Sequence, residues 1–202
     1  MTMTAIRAAL ALVAALAPTA ALAQAPQTVR LRGVIEKVDG NKVTAKSDKG
    51  DALTLNLADK MLVVAVVKAS MADIKDGDFI GSGAMPQPDG SQKAIEVHIF
   101  AESMRGTGEG FRPWDGAPNS TMTNGTVGNT VTSVDGPVIT VKYKDGDKKI
   151  LVTPATVIVT YKKSAASDLK AGQKIFVAAA KKLDDGTLEA PNVAYGDVGV
   201  WR

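Results

Sequence analysis

The chain's first regular pattern is an alternation of apolar and polar residues over 29–36. Val29, Leu31 and Ile35 occupy one set of alternate positions, and Arg30 and Arg32 occupy the other. A period of two residues is typical of a strand that buries one face. The Asp-Gly pair at 39–40 then predicts a tight hairpin turn into a second strand over 42–46.

Four more strand-like segments follow, separated by turn residues. Alternating leucines predict a strand over 52–57, and the apolar run over 62–67 is short enough to be a buried strand. Segments 79–85 and 93–100 flank an Asp-Gly turn and form a predicted final hairpin. Before this hairpin, Ser70 and Asp73 have the spacing of a capping box, which predicts one short helical turn.

Nearly all of this pattern occurs twice. Residues 38–46 (VDGNKVTAK) align with residues 134–142 (VDGPVITVK) at an offset of 134 − 38 = 96 residues. The turn glycines keep that offset except Gly77, which matches Gly172 at 172 − 77 = 95 because one residue is lost and regained between them. Such a period indicates an internal repeat. We predict an all-β protein of two tandem small OB-like β-barrels, each of about six strands with one short helical turn, because barrel closure removes exposed strand edges. A β-sandwich is the alternative.

The chain divides into four predicted segments. Residues 1–23 have the features of a secretory signal peptide: Arg7, an apolar run over 8–16, Pro18, and small residues before the predicted cleavage point. Residues 24–100 and 126–202 are the predicted barrels, and residues 101–125 link them. The apolar run has about half the length that spans a bilayer. We therefore expect cleavage, export to the periplasm and no membrane span in the mature protein.

Composition narrows the classes of function. The chain has no Cys, which excludes disulfides, thiol catalysis and thiolate metal sites. Its formal net charge of +3 becomes +2 when Arg7 leaves with the signal peptide (3 − 1 = 2), and lysines are interspersed with acidic residues. Nucleic-acid binding requires clustered basic charge. We therefore expect no nucleic-acid partner.

Residues 98–115 are the only segment of the predicted mature chain without a second copy. They hold the single His of the chain, one of its two Trp and three closely spaced Gly. Three blocks in and around this segment, ADIKDGD over 72–78, MRGTGEG over 104–110 and STMTN over 120–124, resemble those of a known family.

That family comprises exported Gram-negative bacterial proteins of unknown function, which look like carriers of one or two small barrel domains. The resemblance implies duplicated OB-like β-barrels here. Some members are labelled metal ABC transporter permeases, a label that does not fit a chain without membrane spans. Family members often have His after Gly-Glu-Gly, where this chain has Phe111.

A soft-metal site is one hypothesis for the unique segment. His98 and Met104 would supply an imidazole and a thioether, with Met85 and Met122 as further ligands. These ligands suit Cu(I) in a chain without thiolates. The alternative is that His98 is an ordinary strand residue and that the methionines fill gaps in the core.

A recognition surface is the second hypothesis. Arg binds carboxylate or phosphate groups in bidentate fashion, and Trp stacks on sugars or cations. The candidate residues are Arg105, Glu109, Phe111, Arg112, Trp114 and Asp115. The alternative is a strap, in which Trp114 and Phe111 fill the groove between the barrels and the arginines pair with nearby carboxylates. The two hypotheses are compatible, and we favour the strap.

No catalytic site is predicted, because catalysis needs a nucleophile with a base or two poised carboxylates. The single His is accompanied by no Gly-x-Ser-x-Gly motif. We therefore predict an exported, non-catalytic binding module without a cofactor, whose partner is an unknown protein or glycan of the cell envelope. The alternative is a periplasmic copper-binding protein that uses His98 and Met104.

Overall fold

The computed structural model describes residues 28–58 and 60–200. The predicted signal peptide and the terminal Trp201 lie outside these residues. The described chain is all-β, with fourteen strands and three single-turn 3₁₀ helices, which confirms the predicted fold class. Its strands are β1 (Thr28–Asp39), β2 (Lys42–Ser47), β3 (Ala52–Asn56), β4 (Leu62–Lys68), β5 (Phe79–Pro86), β6 (Gln92–Ile99), β7 (Gly110–Pro113), β8 (Thr121–Ser133), β9 (Gly136–Tyr143), β10 (Gly146–Leu151), β11 (Val157–Ser164), β12 (Lys174–Lys182), β13 (Leu188–Glu189) and β14 (Asn192–Tyr195).

Over the described residues, the structure contains no helix of the length and apolar character needed to cross a membrane.

Two closed five-stranded barrels make up most of the structure. Barrel A has the strand order β1-β2-β3-β13-β12 and closes where β12 pairs with β1, Val177 lying opposite Leu31. Barrel B has the order β8-β9-β10-β6-β5 and closes where β5 pairs with β8, Ile80 lying opposite Gly125. In each barrel the third strand of this order runs parallel to the fourth, β3 to β13 and β10 to β6. Small five-stranded barrels of this kind are OB-like.

The barrels do not coincide with the two repeats. Barrel A takes β1 to β3 from the first repeat and its closing strands from the second, and barrel B does the reverse. This arrangement corrects the predicted boundaries at 24–100 and 126–202, which assign one repeat to each barrel. The predicted linker over 101–125 also contains β7 and the start of β8. Because both repeats have the same strand pattern, local pattern alone does not tell which final hairpin completes which barrel.

Strands β4 and β11 carry the chain from one barrel to the other and pair with each other antiparallel. Val66 lies opposite Tyr161, and the two are counterparts in the repeat, since 161 − 66 = 95. The pair therefore marks a pseudo-twofold axis. Because β14 lies beside β4 and β6 beside β11, one continuous sheet connects the barrels.

Three apolar clusters stabilise this arrangement. The first fills barrel A and the second fills barrel B. The third lies on the central strands and comprises Val64, Val66, Val159, Ala194 and Val200. The fully buried members of the barrel cores include Leu31, Ile35, Leu55 and Ile175 in barrel A, and Ile80, Val97, Ile139 and Ile150 in barrel B.

The predicted helical turn before each final hairpin is confirmed as a 3₁₀ turn. In the first repeat, the Ser70 backbone N–H and hydroxyl both donate to Asp73 Oδ2 at 2.8 Å. In the second repeat, the Ala165 backbone N–H donates to Asp168 at 3.0 Å. The same carboxylate cap therefore begins the turn in both copies, as a capping box does.

Because the two repeats exchange hairpins, we expect that an isolated repeat does not fold as a closed monomeric barrel. A fragment of residues 28–113 lacks the strands that complete barrel A, so its own β5 and β6 must close the barrel of another molecule. We expect a concentration-dependent homodimer that loses its β structure on dilution, measured by light scattering and circular dichroism. A fragment that stays a folded monomer at micromolar concentration would contradict the exchanged arrangement.

Candidate functional site

Trp114 occupies a groove on the outer wall of barrel B. At this point the strands β6, β5, β8 and β7 lie side by side, with Gly83 opposite both Glu96 and Met122. Gly83 has no side chain, and a Cβ built on it would lie 2.6 Å from the Trp114 ring. The half-buried ring therefore packs directly on the backbone of β5. The expectation that Trp114 also fills the groove between the barrels stays a prediction.

Phe111 lies elsewhere than predicted. Its side chain is 40% exposed, and the Lys148 Nζ lies 4.5 Å from the centre of its ring. Lys148 is on β10 of barrel B, and Phe111 is on β7, which pairs with β8 of that barrel. Phe111 is therefore a surface residue in a cation–π contact and does not fill the groove between the barrels.

Asp115 connects the unique segment to barrel A. Its Oδ2 accepts hydrogen bonds from Arg30 Nη1 at 2.7 Å and from Arg32 Nη1 at 3.1 Å, and its Oδ1 accepts from Arg32 Nη2 at 2.8 Å. Because Trp114 packs on barrel B, these adjacent residues contact both barrels. Residues 114–115 thus link the two barrels outside the central sheet.

The charges around Asp115 are unbalanced. The hydrogen bonds from Arg32, followed by those from Arg30, hold the pKa of Asp115 well below its usual range. On the other side of Arg30 lies Arg112, whose pKa is lowered by burial and by the charge of Arg30. The Arg112 Nη1 donates to the Gly108 carbonyl at 2.6 Å. Two guanidinium groups therefore hold the Asp115 carboxylate, and a third lies close enough to Arg30 to feel its charge.

Arg105 forms hydrogen bonds with residues of barrel B and of the loops beside it. Its Nε and Nη2 donate to the two oxygens of Glu102 at 2.6 and 2.7 Å, and Nη2 also donates to the Gly77 carbonyl at 3.0 Å. Glu102 accordingly raises the pKa of Arg105. Glu109 is exposed in a turn that its backbone N–H closes by donating to the Gly106 carbonyl. These hydrogen bonds of Arg105 and Glu109 do not involve Arg30, Arg32 or Asp115.

His98 lies in a largely buried polar network that joins the repeats. His98 is 5% exposed and Glu96 4% exposed, both on β6, and Tyr161 is on β11. His98 Nε2 lies 2.7 Å from Glu96 Oε1, and Nδ1 lies 2.7 Å from the Tyr161 hydroxyl. If Nε2 carries the proton, it donates to the carboxylate and Nδ1 accepts from Tyr161. Burial, followed by the charge of Glu96, raises the pKa of Tyr161.

The geometry bears directly on the copper hypothesis. Both ring nitrogens of His98 already have hydrogen-bond partners, so a metal would have to displace Tyr161 or Glu96. Met104 lies in the 3₁₀ turn Glu102–Met104, where its carbonyl accepts a hydrogen bond from the Thr107 hydroxyl. A copper site that uses His98 and Met104 stays a prediction.

Four residues of these two sites were not found by sequence reasoning: Arg30, Arg32, Glu96 and Tyr161. The first two were assigned only to the polar face of a strand. One signal in the sequence could have identified Arg30 and Arg32: both are Arg in a chain where only six of the 24 basic residues are Arg. Arg forms the bidentate pairs that Lys does not. Tyr161 gave no local signal, because it reaches His98 only across repeats, whereas Glu96 lies two residues from His98 on the same face of β6.

No match to this chain was found among protein-family models, curated proteins or solved structures. The resemblance to exported proteins with duplicated barrels stays a prediction.

Removal of the Trp114 ring tests how the barrels are held together. We expect Trp114→Ala to lower the free energy of unfolding by about 2 kcal/mol, because a half-buried aromatic ring is lost. The melting temperature should fall by about 4–8 °C, and the thermal transition should stay single because each barrel contains strands from both repeats. Trp114→Phe is the matched control and should recover part of the loss. Two separate transitions in a calorimetric scan would show that the segment, not the central sheet, couples the barrels.

Removal of one hydroxyl tests the polar network. Tyr161→Phe leaves His98 Nδ1 buried without its donor, which we expect to lower the free energy of unfolding by about 1–3 kcal/mol. Tyr143→Phe is the control, with an expected change within about 0.5 kcal/mol. Urea denaturation of both variants gives the comparison. Equal stability of the two variants would mean that the network contributes nothing.

Proposed function

We propose that this protein is an exported, non-catalytic binding module that presents the junction of its barrels to a protein or glycan of the cell envelope. The observation that carries the proposal is the cluster of charged side chains around Asp115. Arg30 and Arg32 come from barrel A, whereas Asp115 comes from the segment packed on barrel B. One recognition surface is thus assembled from both barrels.

The exposure of this cluster supports a binding role. The side chains of Arg30 and Asp115 are 45% and 49% exposed, so a partner can reach them from solvent. Arg32 is 16% exposed and lies with its guanidinium carbon 5.4 Å from the centre of the Phe176 ring. A guanidinium that is held against an aromatic ring loses little freedom on binding, which favours affinity.

The environment of His98 supports a non-catalytic role. A general base must reach a substrate proton directly or through one water molecule. His98 is 5% exposed, and its two ring nitrogens are bonded to Glu96 and Tyr161. His98 bonds to Tyr161 of the other repeat, so its role is to orient the two strands. Because both ring nitrogens of His98 are already bonded, a binding module is a better interpretation of this protein than a copper protein that uses His98 and Met104.

A photo-crosslinking experiment in cells tests the proposed function. Pro118 is exposed in the loop that follows Asp115, and Asp184 is exposed in the turn between β12 and β13. A photo-reactive amino acid is placed at either position in the full-length chain. We expect a crosslinked product of one defined mass in the periplasmic fraction from position 118 and none from position 184. The mature protein should begin at Gln24, measured by intact mass.

Three outcomes would contradict the proposal. A chain retained in the cytoplasm would remove the cell-envelope assignment. Equal crosslinking from both positions would indicate contact without specificity. The absence of any product from position 118 would remove the junction as the binding surface.

A further inference from the structure

The cluster around Asp115 has the geometry of a carboxylate-binding site. Arg32 contacts both oxygens of the carboxylate through its two terminal nitrogens, at 2.8 and 3.1 Å, and Arg30 contacts one oxygen at 2.7 Å. A planar guanidinium fork matches a planar carboxylate, which is the arrangement proteins use to recognise acidic groups. Here the acidic group belongs to the protein's own chain.

The cluster keeps binding capacity that Asp115 does not use. The Nε of Arg32 is buried and has no hydrogen-bond partner, whereas most buried polar atoms in folded proteins have one. Arg112 lies close enough to Arg30 for their charges to repel, and its hydrogen bond goes to a neutral carbonyl. Three positive charges against one negative charge leave the surface attractive to a further acidic group.

The carboxylate of Asp115 is open to solvent on one side. Arg30 and Asp115 are about half exposed, whereas Arg32 is 16% exposed. Asp115 lies in a loop that Trp114 and Ser120 close through a backbone hydrogen bond of 2.9 Å. An incoming carboxylate therefore reaches Arg30 from solvent and competes with Asp115 for the two arginines.

We propose that Arg30 and Arg32 form a binding site for an Asp or Glu side chain of a partner peptide, with the charge of Arg112 close by, and that Asp115 occupies this site as an internal competitor. The inference rests on the proposed function and names its ligand class. An acidic peptide is favoured over a phosphate or an acidic sugar because the group now held is itself a peptide aspartate. When the partner binds, its carboxylate takes the bidentate position and Asp115 is released to solvent.

The experiment uses the full mature protein and a short peptide probe. The probe is the acetylated and amidated pentapeptide PWDGA, which has the sequence of residues 113–117, and its control is PWNGA. Binding is measured by calorimetry to the wild type, to Asp115→Asn, and to Asp115→Asn combined with Arg30→Gln and Arg32→Gln. Asp184→Asn is the matched control for loss of one exposed carboxylate.

We expect Asp115→Asn to bind PWDGA on the order of tenfold more tightly than the wild type, because removal of a competitor increases the fraction of open sites. Asp184→Asn should bind as the wild type does, the triple variant should not bind, and PWNGA should not bind any of them. Arg112→Gln in the Asp115→Asn background should weaken binding several-fold. High salt should weaken binding in every case.

Other results overturn the inference. Equal affinity of Asp115→Asn and the wild type would make Asp115 a simple tie between the barrels. Stronger binding of inorganic phosphate or of a galacturonate oligomer than of PWDGA would replace the peptide by a phosphate or a glycan. If Asp115→Asn is not folded, the side-chain Nε–H signal of Arg32 in the wild type is followed by NMR during the PWDGA titration. No change in that signal would also overturn the inference.

Failure of this inference is distinguishable from failure of the proposed function. A specific crosslink from position 118 without peptide binding would keep the binding module and remove only the acidic peptide as its ligand.

Discussion

The hydrogen bond of His98 to Tyr161 joins two strands that belong to different repeats, and Glu96 on the same strand as His98 bonds its other ring nitrogen. A buried carboxylate and a buried imidazole are stable only when both have partners. β6 lies beside β11, with Val97 opposite Ile158. If β6 instead lay beside β4 of its own repeat, the position of Tyr161 would be taken by its counterpart Val66, and His98 would lose its hydroxyl partner. The network therefore favours the exchanged arrangement over one in which each repeat closes its own barrel.

The rest of the architecture follows from this exchange. Each barrel needs strands from both repeats, and the crossing strands β4 and β11 pair with each other, so the two hydrophobic cores are covalently and structurally interlocked. The third apolar cluster covers the crossing on one side, with Val66 and Val159 among its members. Neither barrel can open without disturbing the other, which is why one unfolding unit is expected from a duplicated chain.

The segment over 98–115 adds contacts to two barrels that the central sheet already joins. Trp114 uses the space above Gly83, and Asp115 reaches the arginines of β1. These ion pairs join residues of both barrels at one accessible point, where two guanidinium groups hold one carboxylate. A connection that is specific in geometry and open to solvent is suited to recognition, because a partner carboxylate fits the same two arginines.

The sequence by itself determined the elements that depend on neighbouring residues: the strands with a period of two, the Asp-Gly turns, the capped turn at Ser70, and the repeat that predicts two OB-like barrels. It also indicated the segment that carries the distinctive side chains, including Trp114 and Asp115. Only the tertiary structure decided which hairpin completes which barrel and brought Asp115 to Arg30, which is 85 residues away. The physical reason is that both repeats offer the same local pattern, so the choice between them depends on side chains that meet only after the chain has folded.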